Sequence, residues 1–424
     1  MLCLRSFVAS LAAEPSTPTP PPPVLLWSAQ PPGATGESDE DKPAIYPYLP
    51  SADKNTGAGI LICPGGGFMT RCADYEGVVV AQWLKARGLA GFILRYRIRP
   101  IYGMKESLAD AQRGLQFLRA HAAEYRLASN RLGIIGFSAG ATLAGSAAGQ
   151  TLAGESGSSD PVARVGSRPD FVIMAYGAIP TPGTTSGGAE RGVAGVAGFP
   201  PTFLYGAGED ASVGGMTRLF TALRKERIPV EAHFFAYGPH GVGMAEGDPV
   251  LGEWPELAFN WMRVSGFLTG RSRVGARGVV KLEGEPLARG CVIFTPLDAV
   301  GASPAAAYVL NTGPVRGEFV VEAAQGLVPG RYRVEVRQDA VHWLSNSQNP
   351  IMLKMNRKQR EGTLTEEDRR EWNDYARKRN LAPEIDDVRV FRHTRGTGAG
   401  SGDVIVEIKA GGENRVDLDF STAG

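Results

Sequence analysis

The run Leu132-Gly133-Ile134-Ile135-Gly136-Phe137-Ser138-Ala139-Gly140-Ala141-Thr142-Leu143-Ala144 carries more of the architecture than any other stretch. It starts as a short apolar strand, turns at a G-x-S-x-G motif and continues as a helix of small residues. The motif alone is weak: with 55 glycines in 424 residues, chance yields on the order of 0.4 matches. Its setting supplies the discrimination, because a nucleophile elbow needs a strand before it and a helix after it. The flanking glycines permit the sharp turn. The turn lifts the Ser138 hydroxyl out of the sheet, and the helix N-terminus favours negative charge nearby.

An elbow serine needs donors for an oxyanion, a base and an acid. Pro64-Gly65-Gly66-Gly67-Phe68 follows an apolar run, Ala58–Cys63, about seventy residues ahead of the serine; that is the position of the oxyanion loop in lipases and esterases. Gly66 or Gly67, together with the N–H of Ala139, would hold the oxyanion. A phosphate-cradling loop is excluded, since neither G-K-[ST] nor G-x-G-x-x-G is present. The acid must follow the serine, and the histidine must follow the acid. Thr202–Tyr205 reads as a strand that ends in Gly206-Ala207-Gly208-Glu209-Asp210. Glu209 and Asp210 compete there. Asp210 is favoured because Ala211-Ser212-Val213 completes a D-x-x-V acid loop, leaving Glu209 as a solvated neighbour. Of five histidines, His121 precedes the serine on a helix, His342 and His393 lie in the C-terminal part, and His233 sits mid-strand. His240, in Tyr237-Gly238-Pro239-His240-Gly241, follows the strand Val230–Tyr237 in a loop. The interval from Asp210 to His240 is what a helix, a strand and two short loops consume.

Outward from these motifs, strand-like runs alternate with helix-length segments. Val78–Arg87, Ala90–Tyr96, Ser107–Tyr125, Asp170–Tyr176, Met216–Glu226 and Glu256–Leu268 complete the series. Such alternation predicts a mostly parallel sheet covered by helices on both faces. After Leu268 the texture changes to short runs without helices between them: Val279–Leu282, Cys291–Pro296, Ala306–Leu310, Glu318–Glu322, Arg331–Arg337, Asp403–Ile408 and Asn414–Phe420. These predict a small all-β sandwich. The charged stretch 349–380 interrupts it as a helical insertion, with Thr365-Glu366-Glu367-Asp368 placed to cap a helix. The expected organisation is therefore a tail and Pro-rich tether at 1–23, an α/β domain at 24–268, a linker at 269–277, and the sandwich at 278–424.

The 45 basic and 44 acidic side chains nearly cancel, which argues against nucleic acid as a partner. No apolar run is long enough to span a membrane. Met1–Ala13 is a weak secretory signal, because Arg5 interrupts a short apolar stretch. The four cysteines show no metal spacing. Cys63 ends an apolar run and reads as a buried thiol rather than as half of a disulfide with Cys72.

Taken in order, these motifs resemble the bacterial esterase-lipase group of α/β-hydrolases that includes acetyl xylan esterases and bifunctional acetyl-xylan/feruloyl esterases. The resemblance covers residues 24–268. Its further elements are Pro32-Gly33-Ala34-Thr35-Gly36, Asp41-Lys42-Pro43, Asp74-Tyr75-Glu76-Gly77, Leu94-Arg95-Tyr96-Arg97, Ala109-Asp110-Ala111-Gln112-Arg113 and Ser167-Arg168-Pro169-Asp170-Phe171. Tyr205-Gly206 and Glu209 depart from the pattern, in which a histidine and a second aspartate are frequent. Gly278–Leu287 and Gly330–Val336 resemble carboxypeptidase-regulatory-like β-sandwiches, modules appended to exported bacterial proteins. The resemblance implies an α/β-hydrolase followed by an all-β sandwich, exported, working without cofactor or metal. Its substrate would be an ester on an O-acylated plant polysaccharide such as xylan, cleaved by Ser138, His240 and Asp210 through an acyl-enzyme. The glycine-rich stretch between Pro180 and Pro200 leaves little room for a lid. Two rival readings are a non-catalytic carbohydrate-binding or cell-wall-binding scaffold and a hydrolase of amide or peptide bonds. The intact constellation argues against the first, and the lack of a gating domain against the second.

Overall fold

The computed structural model describes residues 20–179, 196–287, 289–297, 302, 304–309, 315–323, 326–338, 350–380, 389–391 and 403–420. The N-terminal signal-like stretch, most of the Pro180–Pro200 segment, His342 and His393 lie outside them. The chain forms two compact units: Met1–Ala52 with Gly59–Gly252, and Asp53–Ala58 with Glu253–Gly424. The helix that closes the 24–268 series thus groups with the second unit; the domain boundary at linker 269–277 is retained as a proposal from sequence texture.

In the first unit the strands are β1 (Val24–Leu25), β2 (Ala44–Tyr48), β3 (Gly59–Cys63), β4 (Ala90–Arg95), β5 (Leu132–Phe137), β6 (Phe171–Ala175), β7 (Thr202–Ala207) and β8 (Val230–Phe235). Its helices are α1 (Val79–Ala86), α2 (Met104–Ala120), α3 (Ala139–Gly149) and α4 (Val213–Lys225). The eight strands form one sheet in the order β1-β2-β4-β3-β5-β6-β7-β8. β2 runs antiparallel to β1 and β4, and every pair from β4 to β8 is parallel. The continuous apolar strands β3, β5 and β6 are buried along their whole length, as a sheet covered on both faces requires. Alternate residues serve opposite faces. Leu61, Phe92, Leu94, Ile134, Val172, Met174 and Leu204 join one core with Leu115 and Leu118 of α2, Leu143 and Ala144 of α3, and Leu219 and Leu223 of α4. On the other face Gly91 of β4 lies against Ala81 of α1.

The sequence reading missed β1 and β2. β1 has two residues, and Pro47 argues against a strand because it cannot donate to a ladder. The structure accommodates it. β1 pairs only with Ala44 and Ile45, so Pro47 lies beyond its reach, beside Phe92 of β4 alone.

The second unit carries α5 (Trp254–Val264), then β9 (Ala276–Leu282), β10 (Glu285–Pro286), β11 (Gly290–Pro296), β12 (Ala305–Val309), β13 (Glu318–Val321) and β14 (Gly330–Gln338). Helices α6 (Pro350–Glu361) and α7 (Glu366–Asn380) follow, then β15 (Arg389–Phe391), β16 (Val404–Ile408), β17 (Asn414–Arg415) and β18 (Leu418–Phe420). One sheet gathers β10, β9, β13, β17 and β18, and a second gathers β12, β11, β14, β15 and β16. Inward-facing residues of both sheets share one core, in which Phe294 of β11 meets Phe319 of β13 at 5.8 Å. That is the architecture of a β-sandwich. The charged insertion is helical, and Thr365 does cap α7: its Oγ1 accepts the Asp368 N–H at 3.2 Å, while Asp368 Oδ2 accepts the Thr365 N–H at 2.9 Å.

Candidate active site

At the carboxyl end of β5 the chain makes the turn the motif requires. Ser138 sits at φ 51°, ψ −118°, a conformation that costs a non-glycine residue free energy and clusters at functional sites. The flanking glycines are sterically obligatory. A Cβ on Gly136 would lie 2.0 Å from the Gly140 carbonyl oxygen, and one on Gly140 would lie 2.0 Å from the Cys63 carbonyl oxygen. The elbow is thus wedged against the end of β3, where the glycine loop starts. The Ser138 N–H donates to the Ala175 carbonyl at 3.0 Å, tying the turn to β6.

Three side chains from separate loops meet here. Ser138 Oγ lies 2.7 Å from His240 Nε2, and His240 Nδ1 lies 2.7 Å from Asp210 Oδ2. An ionised carboxylate only accepts, so Nδ1 carries the proton and Nε2 presents its lone pair to the serine hydroxyl. Asp210 follows β7; its side chain is 3 % exposed, against 48 % for His240. Its Oδ1 accepts the Ser212 N–H at 2.8 Å, so both oxygens are engaged. Glu209 is exposed but not merely solvated: its Oε2 accepts the Gly238 N–H at 3.1 Å, bracing the histidine loop from the side. His233 bonds to Glu231 at 2.8 Å and stacks on Phe203, and His121 bonds to the Phe117 carbonyl at 2.9 Å. Neither joins the cluster.

In the glycine loop the N–H of Gly65 is already committed, donating to Glu76 Oε2 at 2.7 Å. Gly66, at φ 122°, packs so closely on Thr70 that a Cβ would lie 2.5 Å from its carbonyl oxygen. The N–H groups of Gly66, Gly67 and Ala139 find no acceptor among the described residues. Uncommitted donors beside a serine on a helix N-terminus suit a developing anion.

Sequence reasoning gave no role to two residues of the site. Glu76 lies on a short π-helical turn, Asp74–Val78, and is 1 % exposed. Its Oε1 accepts the Tyr176 O–H at 2.6 Å, and the same phenol oxygen accepts the Gly243 N–H at 2.9 Å. The Tyr176 ring stands edge-on to His240, 5.2 Å between centroids. Burial pushes the Glu76 carboxyl above its ordinary range, against the opposing pull of Tyr176, the Gly65 N–H and the nearby His240. Burial likewise pushes the Tyr176 phenol up, so it stays protonated as a donor. Two signals existed: Glu76 falls in the Asp74-Tyr75-Glu76-Gly77 motif of the resemblance, and Tyr176 stands at the carboxyl end of a parallel strand, where sites gather.

Several other quoted motifs bear structure rather than chemistry. Arg97 and Asp110 form a fully buried pair at 2.6 Å that pins the end of β4 to α2, and Arg97 also donates to the Pro32 carbonyl at 2.7 Å. Arg113 holds the Leu26 carbonyl at 2.9 Å and Asp160 at 2.6 Å. Cys63 and Cys72 are free thiols, so no disulfide joins them. Among the described residues, no cluster of three or more His, Cys, Asp or Glu side chains is arranged to hold a metal, and no helix is long and apolar enough to cross a membrane.

A sheet of this order, with a serine elbow after β5, an acid after β7 and a histidine after β8, defines an α/β-hydrolase. Within that class, residues 47–163 match the BD-FAE family model. Over 230 residues, 49% of this chain and 35% of the relative, the sequence is 29% identical to endo-1,4-beta-xylanase B of Butyrivibrio fibrisolvens. Over 107 residues, 25% of this chain and 22% of the relative, it is 32% identical to an acetylxylan esterase of Xylanibacter ruminicola. The chain thus spans 35% and 22% of the length of these curated relatives. The crystal structure of an acetyl ester-xyloside bifunctional hydrolase from Caldicellulosiruptor lactoaceticus shares 29% identity and a TM-score of 0.53, covering 59% of this chain and 99% of that one.

Proposed function

We propose that the protein is a serine carboxylic-ester hydrolase that removes acetyl or feruloyl groups from a plant polysaccharide such as xylan. The observation that carries the reading is the unbroken chain from Ser138 Oγ through His240 to Asp210, with both links at 2.7 Å. His240 Nε2 takes the hydroxyl proton as Ser138 Oγ attacks the ester carbonyl. The oxyanion that forms is held by the N–H of Ala139 and that of Gly66 or Gly67. As the intermediate collapses, the proton on Nε2 passes to the leaving alcohol and an acyl-enzyme is left on Ser138. Water then enters, gives its proton to His240 and attacks the acyl carbonyl; as the acyl–Oγ bond breaks, His240 returns the proton to Ser138 Oγ and the acid leaves.

The substrate class draws on the relatives, whose names speak of acetylxylan and acetyl ester-xyloside. The exposure of His240 supports it, since an ester carried on a bulky chain needs an approach from open solvent. Such a substrate is met outside the cell, which accords with export. Ser138→Ala tests the mechanism: hydrolysis of p-nitrophenyl acetate and fluorophosphonate labelling should both vanish, and retained turnover would sink it. Acid release from acetylated xylan and feruloylated arabinoxylan, measured side by side, tests the acyl group.

A further inference from the structure

Glu76 and Tyr176 form a bridge that the hydrolytic chemistry does not itself use. The glycine loop hangs from one carboxylate oxygen of Glu76 through the Gly65 N–H. The histidine loop hangs from the other through Tyr176, which accepts the Gly243 N–H three residues beyond His240. These loops follow β3 and β8, which lie at different places in the sheet.

Resting on the esterase reading, we propose that Glu76 and Tyr176 are positioning residues: together they set the register between the oxyanion donors and the base, without touching substrate. The geometry explains why a carboxylate stands here. Glu76 receives two donors on two oxygens, and a glutamine would turn an N–H toward one of them. Turned toward Gly65, the NH2 meets another donor. Turned toward Tyr176, it makes the phenol an acceptor and takes away the partner of its O–H, and either outcome is costly in a buried site. The Tyr176 ring, edge-on to His240, also restricts the imidazole directly. Misplacing reacting groups by about 1 Å can cost up to about 10²-fold in rate, and a loosened loop on either side displaces donors or base by such amounts.

The test uses the full chain and p-nitrophenyl acetate, comparing wild type, Glu76→Gln, Tyr176→Phe, the double variant and Ser138→Ala. Each single variant should lower kcat by about 10- to 100-fold, with KM little changed, and should slow fluorophosphonate labelling in parallel. The double variant should be no slower than the slower single, because either change cuts the same bridge. Thermal melting of each variant shows that the slower ones are folded; if Glu76→Gln melts early, Tyr176→Phe alone carries the kcat test. Singles that keep at least half of wild-type kcat, or losses that multiply in the double variant, would overturn the bridge while a dead Ser138→Ala leaves the esterase reading standing. An active Ser138→Ala would remove both.

Discussion

Asp210→Asn is the most informative single change, because the structure dictates which way the new amide must face. In the native site Oδ1 accepts the Ser212 N–H and Oδ2 accepts the His240 Nδ1–H. Asparagine has one acceptor, and turning it toward Ser212 preserves the acid loop. The amide NH2 then confronts Nδ1 at the former 2.7 Å contact. To avoid donor against donor, the imidazole gives up its proton on Nδ1 and carries it on Nε2, which then faces Ser138 as a donor. The serine keeps its place and loses its base. A tautomer change of this kind costs about 10⁴ in kcat, equivalent to about 5.5 kcal/mol of barrier. The opposite orientation spares the tautomer but sets NH2 against the half-buried Ser212 N–H, which loosens the loop. The assay is kcat for p-nitrophenyl acetate, with Glu209→Gln alongside. That substitution keeps an acceptor for Gly238, so its effect should stay within about twofold, as for a surface change near 0.5 kcal/mol. Asp210→Asn within about tenfold of wild type, or Glu209→Gln the more damaging of the two, would refute the assignment of Asp210 as the acid.

Two further outcomes concern the scaffold. Gly140→Ala places a methyl 2.0 Å from the Cys63 carbonyl oxygen; a cost near the upper end of the about 1–3 kcal/mol of overpacking lowers the melting midpoint by about 6–12 °C, and an unshifted midpoint would contradict the wedge between elbow and β3. The Arg113 hydrogen bond holds the Asp160 carboxyl below its ordinary 3.8, so its stabilisation is complete above that value and lost as pH falls through the lower folded one. The urea midpoint of wild type should therefore exceed that of Asp160→Asn by a small margin at pH 6, worth less than about 1 kcal/mol because solvent screens the exposed carboxylate side of the pair. The gap should close toward pH 3, and a gap that widens there would reverse the sign of the coupling.

What the sequence disclosed follows from how each feature is encoded. β3, β5 and β6 are continuous apolar runs, and the serine, acid and histidine each sit just past a strand, so linear pattern and function coincide. The Thr365–Asp368 cap was legible for a similar reason: its partners are three residues apart. β2 was not legible, because Pro47 is tolerated only through the short reach of β1, a fact of pairing that no local pattern carries. Glu76 and Tyr176 escaped for a stronger reason. They are 100 residues apart, and each alone looks ordinary; only the closure of the sheet sets the phenol on the carboxylate. Glu209 was misjudged as merely solvated because its bond to Gly238 likewise depends on where the β8 loop returns.

The placement of the two reacting loops within the sheet bears on how activity is lost. Ser138 rises from β5, held by strands on both sides, whereas His240 follows β8, which has β7 as its one neighbour in the sheet order. Strand ends with few neighbours open at the smallest free-energy cost. Nucleophile and base therefore reside in regions of unequal endurance. Warming should silence the site by withdrawing the imidazole from the rim while the central strands keep the serine poised, so the temperature at which turnover fails is a property of the border of the sheet and not of its core.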